Sequence, residues 1–262
     1  MQNNLFSMHD KVCVITGGSR GLGKAMARAF LEAGAKRVYI TARKPEECQQ
    51  TADELSGLSE NGECVALPGD MSSGEGIIGF AKALAEREDH IDVLVNNAGT
   101  GWMAPVEEFP EIGWDKVMDL NVKTPFFLTQ QLLPLLKASA TPEKSASVIN
   151  IGSIAGIMGS AASGISYGTS KAAIHQLTRN LASLLADDNI RVNAIAPGRF
   201  HSKMTISVEQ DKEQYEREIK MIPLHRWGHD EDIMGPALLL ASNAGAFMTG
   251  EIITVDGGYL LV

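Results

Sequence analysis

A doubly wound α/β fold, with seven parallel strands in one sheet and helices on both of its faces, is what this chain of 262 residues predicts. Three observations carry that prediction. Short apolar runs recur along the whole sequence, they are continuous instead of alternating, and amphipathic stretches of helical period separate them. A strand buried on both faces needs an apolar side chain at every position, whereas a strand with one wet face alternates. Parallel neighbours also need a crossover, and right-handed crossovers lay helices over each side of the sheet.

The runs, in order, are VCVI (Val12 to Ile15), RVYIT (Arg37 to Thr41), CVAL (Cys64 to Leu67), DVLV (Asp92 to Val95), SVINI (Ser147 to Ile151), VNAIA (Val192 to Ala196) and IITV (Ile252 to Val255). After the first of them, Leu22, Met26, Phe30 and Leu31 fall on one face of a helix that Gly34 stops. No repeat, low-complexity tract or Pro/Gly linker divides the chain, so residues 1–262 read as a single domain, and 44% hydrophobic residues suffice for one large core. Ser207 to Lys220 departs from its surroundings: it contains VEQDKEQYEREIK and predicts one charged helix, either a solvated surface or a flap over a substrate pocket.

Bulk properties exclude several classes of function. A formal net charge of -9, a pI near 5.2 and the lack of a basic cluster argue against a nucleic-acid partner. No uninterrupted apolar stretch approaches the roughly 18 to 20 residues of a membrane span. The opening MQNNLFSMHDK has neither the apolar core nor the cleavage site of a signal peptide. Cys13, Cys48 and Cys64 are irregularly spaced and read as reduced thiols of a cytoplasmic protein. His225 and His229, followed by Asp230, are the one grouping that suggests a metal; the intervening R-W-G does not read as helix and no carboxylate-rich motif accompanies it, so no metal is expected.

The turn after the first strand reads T-G-G-S-R-G-L-G, Thr16 to Gly23, with Gly17, Gly21 and Gly23 spaced G-x-x-x-G-x-G. Glycines there permit a tight strand-to-helix turn, let the backbone approach a pyrophosphate and present helix N-terminal N–H groups to it, which makes Ser19, Arg20 and Leu22 of this turn cofactor-binding candidates as well. Gly18 to Lys24 also matches most of a phosphate-binding loop of the G-x-x-x-x-G-K type, but Ala25 stands where Ser or Thr must hold Mg²⁺. At the end of the second strand, Thr41-Ala42-Arg43 offers no acid for a ribose 2′-hydroxyl. Arg43 and Arg20 suit a 2′-phosphate instead, which predicts NADP(H) as the cofactor.

Tyr167 and Lys171, within Y-G-T-S-K, lie one helical turn apart on the same face. A free phenol has a pKa of about 10, too high for proton traffic at neutral pH. A neighbouring ammonium is expected to lower it, making Tyr167 an acid/base for a carbonyl or alcohol oxygen.

With these motifs in order, the chain resembles the short-chain dehydrogenase/reductase family over essentially its whole length. The resemblance rests on T-G-G-S-R-G-L-G, the Asp70-Met71 pair, N-N-A-G at Asn96 to Gly99, Asn121 in L-N-V, Ser153 in I-G-S-I-A-G, the Tyr167/Lys171 pair and Pro197-Gly198. It implies a Rossmann fold in which Tyr167 is the acid/base. Lys171 would lower its pKa and hold the nicotinamide ribose, Ser153 would bond the substrate oxygen, and Asn121 would anchor a water that leads protons to the lysine. It further implies that Asp70, beside Met71, holds the adenine edge, that Asn97, Ala98 and Gly99 lie along the cofactor, and that Pro197, Gly198, Phe200 and Thr205 frame the nicotinamide amide. Ser153 stands one position farther from Tyr167 than is usual, which an extra residue in the loop Gly156 to Gly164 would absorb; Ser160, Ser163 and Ser166 are the alternatives.

Within the family the chain is similar to β-ketoacyl reductases, especially the rhamnolipid-associated type, through NNAGTGW, QQLLPLL, IAPGRF and RWG. That likeness implies a 3-oxoacyl thioester substrate on acyl carrier protein or coenzyme A, and a homotetramer with the helices around Trp114 to Leu136 and Ser170 to Leu185 at its interfaces. Trp102, Met103, Ile157, Met158, Phe200 and Met204 would suit an acyl chain, although core packing explains such residues as well. Two other readings stand beside it: a dehydrogenase of a sugar, polyol or steroid alcohol, and a cofactor-sensing regulatory protein without turnover. A sensor has no need of a tuned acid.

Overall fold

The computed structural model describes residues 4–59, 62–159, 164–201 and 205–262. Its centre is a sheet of seven strands: β1 (Val12–Thr16), β2 (Arg37–Thr41), β3 (Glu63–Ala66), β4 (Val93–Asn96), β5 (Ala146–Ile151), β6 (Ile190–Pro197) and β7 (Ile252–Val255). They are hydrogen-bonded in the order β3-β2-β1-β4-β5-β6-β7, and every pair is parallel. The predicted doubly wound architecture is present. Its strand order reverses between β1 and β4, the place where open α/β sheets leave a crevice at the carboxyl ends of the strands.

The α-helices among the described residues are α1 (Gly21–Glu32), α2 (Pro45–Ser56), α3 (Gly74–Ala85), α4 (Glu111–Met118), α5 (Thr124–Ser139), α6 (Ile165–Leu185), α7 (Ile206–Gln210), α8 (Lys212–Lys220) and α9 (Asp230–Ala241). The continuous apolar runs are explained by two cores. Cys13, Ile15, Val38, Ile40, Val95 and Ile149 point to the side packed by Met26 and Phe30 of α1 and Ile233 and Leu240 of α9. Their neighbours Val12, Val14, Tyr39, Leu94, Val148 and Val192 point to the other, against α3, α5 and α6 through Phe80, Leu132 and Leu181. Burying either face stabilises the fold by on the order of 25 cal/mol per Å² of apolar surface removed from water.

Strand boundaries differ from the sequence reading where a side chain competes for the ladder. Asp92, expected to open β4, lies just outside it, because its carboxylate accepts the Val12 N–H at 2.8 Å and pairs with Lys144 at 2.6 Å. The helix expected over Ser207 to Lys220 is two helices. Asp211 interrupts it, its carboxylate accepting the Gln214 N–H at 3.0 Å as the cap of α8. Gly34 stops the first helical run at φ 97°, a left-handed conformation that glycine adopts without strain.

Candidate active site

The crevice is built first from the turn between β1 and α1. Gly17 and Gly21 have φ of 65° and 51°. A Cβ on Gly23 would come within 2.4 Å of the Gly17 carbonyl oxygen, so only glycine lets α1 start this close to β1. Asn97, just past β4, donates its amide to the Thr16 and Gly17 carbonyls at 2.8 and 3.1 Å, while the Thr16 hydroxyl accepts the Asn97 and Ala98 N–H groups at 3.0 and 2.9 Å. The Ser19 carbonyl accepts the Thr51 hydroxyl of α2 at 2.9 Å. Leu22 packs partly buried against the first core.

That turn fits a pyrophosphate. No side chain caps α1, its first turn carries no acid, and a Cβ built at Gly21 would meet nothing within 4 Å. Lys24 rules against the competing nucleoside-triphosphate reading on geometry as well, since it is tied to Glu54 of α2 at 2.7 Å. Arg20 and Arg43 are exposed on either side of the turn, and neither makes an ion pair among the described residues. The buried Thr41 hydroxyl beside them has no hydrogen-bond partner. Asp70 follows β3; Ser72 donates to it from both backbone and hydroxyl, which holds the carboxyl below its usual range, with the Arg43 charge adding to the effect. Met71 is buried, and its carbonyl accepts the Thr124 hydroxyl.

Beyond β4 the chain passes Gly99, where a Cβ would stand 3.3 Å from the Asn121 side-chain oxygen and 3.7 Å from the Lys171 ammonium. Asn121 lies in a π-helical turn, Asp119–Lys123, that joins α4 to α5. Its amide oxygen accepts the Thr100 N–H and its nitrogen donates to the Thr100 carbonyl and the Ser170 hydroxyl, all at 2.9 Å. The side chain holds the loop after β4 against α6 and keeps one further lone pair on its amide oxygen. A π turn, which departs from the i→i−4 ladder, is also a place where backbone carbonyls become free.

Ser153 follows β5 and caps a short turn, its hydroxyl accepting the Ala155 N–H at 3.1 Å. The same hydroxyl hydrogen-bonds the Tyr167 phenol. Lys171 is buried, donates to the Ile151 carbonyl at 2.7 Å, and has its ammonium 5.5 Å from the centre of the Tyr167 ring. The electrostatics add burial to the sequence reading. Burial pushes the Tyr167 phenol up, against the Ser153 hydrogen bond and the Arg199 charge, which lower it. Burial also brings the Lys171 ammonium down to about 8. Ser166 is fully buried with no partner for its hydroxyl, and Ser160 and Ser163 lie outside the described residues.

At the end of β6, the Gly198 N–H donates to the Val255 carbonyl at 2.9 Å, and the Thr205 hydroxyl donates to the Phe200 carbonyl at 3.1 Å. Phe200 is buried against Gly228, so it packs the floor instead of an open acyl pocket. Met103 and Ile157 are exposed, Trp102 and Met158 partly so, and Met204 lies outside the described residues. His229 caps α9 with Asp232. The three cysteines are buried and unbridged, and burial pushes the Cys64 thiol up to about 12. Among the described residues no helix is long and apolar enough to cross a membrane. Two roles were missed in the sequence. Thr16 was visible as the polar end of an apolar strand; Arg199 fell within the Pro197 to Phe200 stretch, but its pairing with Glu218, remote in the chain, gave no signal.

Comparison with known proteins agrees with this geometry. Residues 17–260 match the family model described as enoyl-(acyl carrier protein) reductase. The chain is 49% identical over 256 residues, 98% of each chain, to the rhamnolipids biosynthesis 3-oxoacyl-[acyl-carrier-protein] reductase of Pseudomonas aeruginosa. It superposes on the RhlG/NADP active-site complex of the same organism with a TM-score of 0.94 at 48% identity, covering 98% of this chain and 99% of that one. The 2-dehydro-3-deoxy-D-gluconate 5-dehydrogenase of Escherichia coli is 36% identical over 97% of each chain.

Proposed function

The chain belongs to the short-chain dehydrogenase/reductase family, and from that premise we propose that it is an NADPH-dependent reductase of 3-oxoacyl thioesters, giving the 3-hydroxyacyl product. What supports the reading is the convergence of the Ser153 hydroxyl and the Tyr167 phenol beside a glycine turn free to take a dinucleotide. NADPH supplies the hydride. The α1 N-terminus would hold the pyrophosphate, and Arg20 with Arg43 would hold the 2′-phosphate. Ser153 donates to the carbonyl oxygen, Tyr167 delivers the proton there, and the buried Lys171 orders the pair from below. The whole chain, 1–262, acts as one domain in the cytoplasm, on a substrate carried by acyl carrier protein. It works as a homotetramer, for which exposed Trp114, Phe126, Phe127 and Leu184 on α4, α5 and α6 are the apolar surface.

A purified enzyme should oxidise NADPH with a 3-oxoacyl thioester and do so far faster than with NADH. Arg43→Ala, and separately Ala42→Asp, should weaken NADPH use much more than NADH use, because an arginine fork or its absence decides 2′-phosphate binding. Equal or better kcat/KM with NADH sinks the cofactor assignment. The gluconate-dehydrogenase relative favours a second reading, a sugar-acid substrate. Turnover of 2-keto or 5-keto sugar acids with none of 3-oxoacyl thioesters would establish it in place of the first.

Ser153→Ala should lower kcat by on the order of 10²-fold with little change in KM, because a donor to the carbonyl oxygen matters most as charge develops there. Ser166→Ala should keep kcat. The reverse pattern in steady-state kinetics would reassign the serine.

A further inference from the structure

Helix α8 has 9 residues, and the one it buries is an acid, Glu218. A carboxylate at that depth needs a partner. Arg199 supplies it: Nη2 donates to Oε1 at 3.1 Å, and Nε stands 3.0 Å from Oε2 as an ion-pair contact without hydrogen-bond geometry. Arg199 is fixed from its other side. Its carbonyl accepts the Gly228 N–H at 2.8 Å, and the adjoining Phe200 ring lies where a Cβ on Gly228 would come within 2.6 Å. Ile151 of β5 and Ile195 of β6 are paired in register, so Ser153 and Arg199, a few residues past each, leave the sheet at the same edge.

We infer that the Arg199–Glu218 pair is a latch that seats α8 against the end of β6, and that Arg199, held by it, is a positioning residue that sets the charge facing the Tyr167 phenol. The inference rests on Tyr167 being the acid of the proposed reaction. Among the described residues the other groups around that phenol are few. Lys171 lies on the same helix, His175 beyond it is neutral at physiological pH with its pKa brought down to about 4, and Ser153 and Asn121 are uncharged. The cavity that Arg199 lines also presents Arg226, Asp232 and Asp256, but Arg226 and Asp232 pair with each other at 2.6 Å. His201 and His229 stack at 5.4 Å behind it, against Trp227 and Tyr215. Every variant below keeps all of these.

The two halves of the latch act alike on the seating of α8 and oppositely on charge. Reduction needs the protonated phenol, so its rate falls at alkaline pH as the phenol ionises. Arg199→Met removes a cation, favours the phenol and moves that limb up; Glu218→Gln unmasks the arginine, favours phenolate and moves it down, each by on the order of one pH unit. Both should raise KM for the ketone several-fold and speed hydrogen exchange of the α8 amides. Arg199→Lys should return the limb to its place while leaving KM raised, since an ammonium cannot reproduce the fork. Limbs that move together or not at all overturn the charge-setting role, as a merely structural pair would give. Unchanged α8 exchange overturns the latch, and this readout does not depend on turnover. A Tyr167→Phe enzyme that keeps wild-type reduction shows instead that the acid assignment has failed, and the charge-setting role fails with it.

Discussion

Tyr167→Phe is expected to abolish reduction, with kcat falling by about 10²- to 10⁴-fold while NADPH binding stays nearly intact. The substitution removes one hydroxyl and keeps the ring that stands 5.5 Å from the Lys171 ammonium, so the site keeps its shape and loses its transferable proton. Burial holds the phenol above its ordinary value, and that direction suits an acid more than a base. Such a group stays fully protonated through neutral pH, so reduction should be flat there and decline only at alkaline pH. Fluorescence titration with NADPH and initial rates with a 3-oxoacyl thioester check both halves. Retention of more than about a tenth of wild-type kcat would falsify the chemistry, because general acid catalysis contributes more than that.

The same pair shows where sequence reasoning stops. That Tyr167 and Lys171 share a helix face follows from their spacing, and α6 presents them so. What the lysine does to the phenol does not follow from spacing. The expected lowering left out burial, which raises the phenol itself, and Lys171 is buried too, with one of its N–H groups donating to the Ile151 carbonyl. Strands were legible because burial on both faces leaves a continuous apolar run, and β2 and β7 fall where RVYIT and IITV predict. β4 does not begin at Asp92, because a carboxylate answering the Val12 N–H is a long-range contact. The break at Asp211 was local and readable in principle: Asp is a strong cap, and it stands three residues before Gln214. Arg199 and Glu218 are 19 positions apart, and nothing in periodicity or composition joins them.

Lys171→Met is expected to cost at least about 10²-fold in kcat/KM and yet leave the fold about as stable at neutral pH. Burial lowers the ammonium from 10.5 to about 8, so the folded chain holds this proton less tightly than the unfolded one does. Between those values the unfolded state binds more protons, and wild-type stability must rise with pH across the window. Near pH 7 the charged lysine costs the fold about 3 kcal/mol, which methionine removes; leaving the Ile151 carbonyl without its donor returns about 1–3 kcal/mol of that. Urea unfolding at about pH 7.5 and about pH 9.5 separates the contributions. The wild type should gain about 2 kcal/mol on the variant between the two, below the range where the raised Tyr167 phenol begins to titrate. Parallel pH slopes in the two proteins would mean that Lys171 is solvated and ordinary. Full activity in the methionine variant would mean that the buried charge has no part in ordering Ser153 and Tyr167, and a fold that carries such a cost for no catalytic return would need another explanation for its lysine.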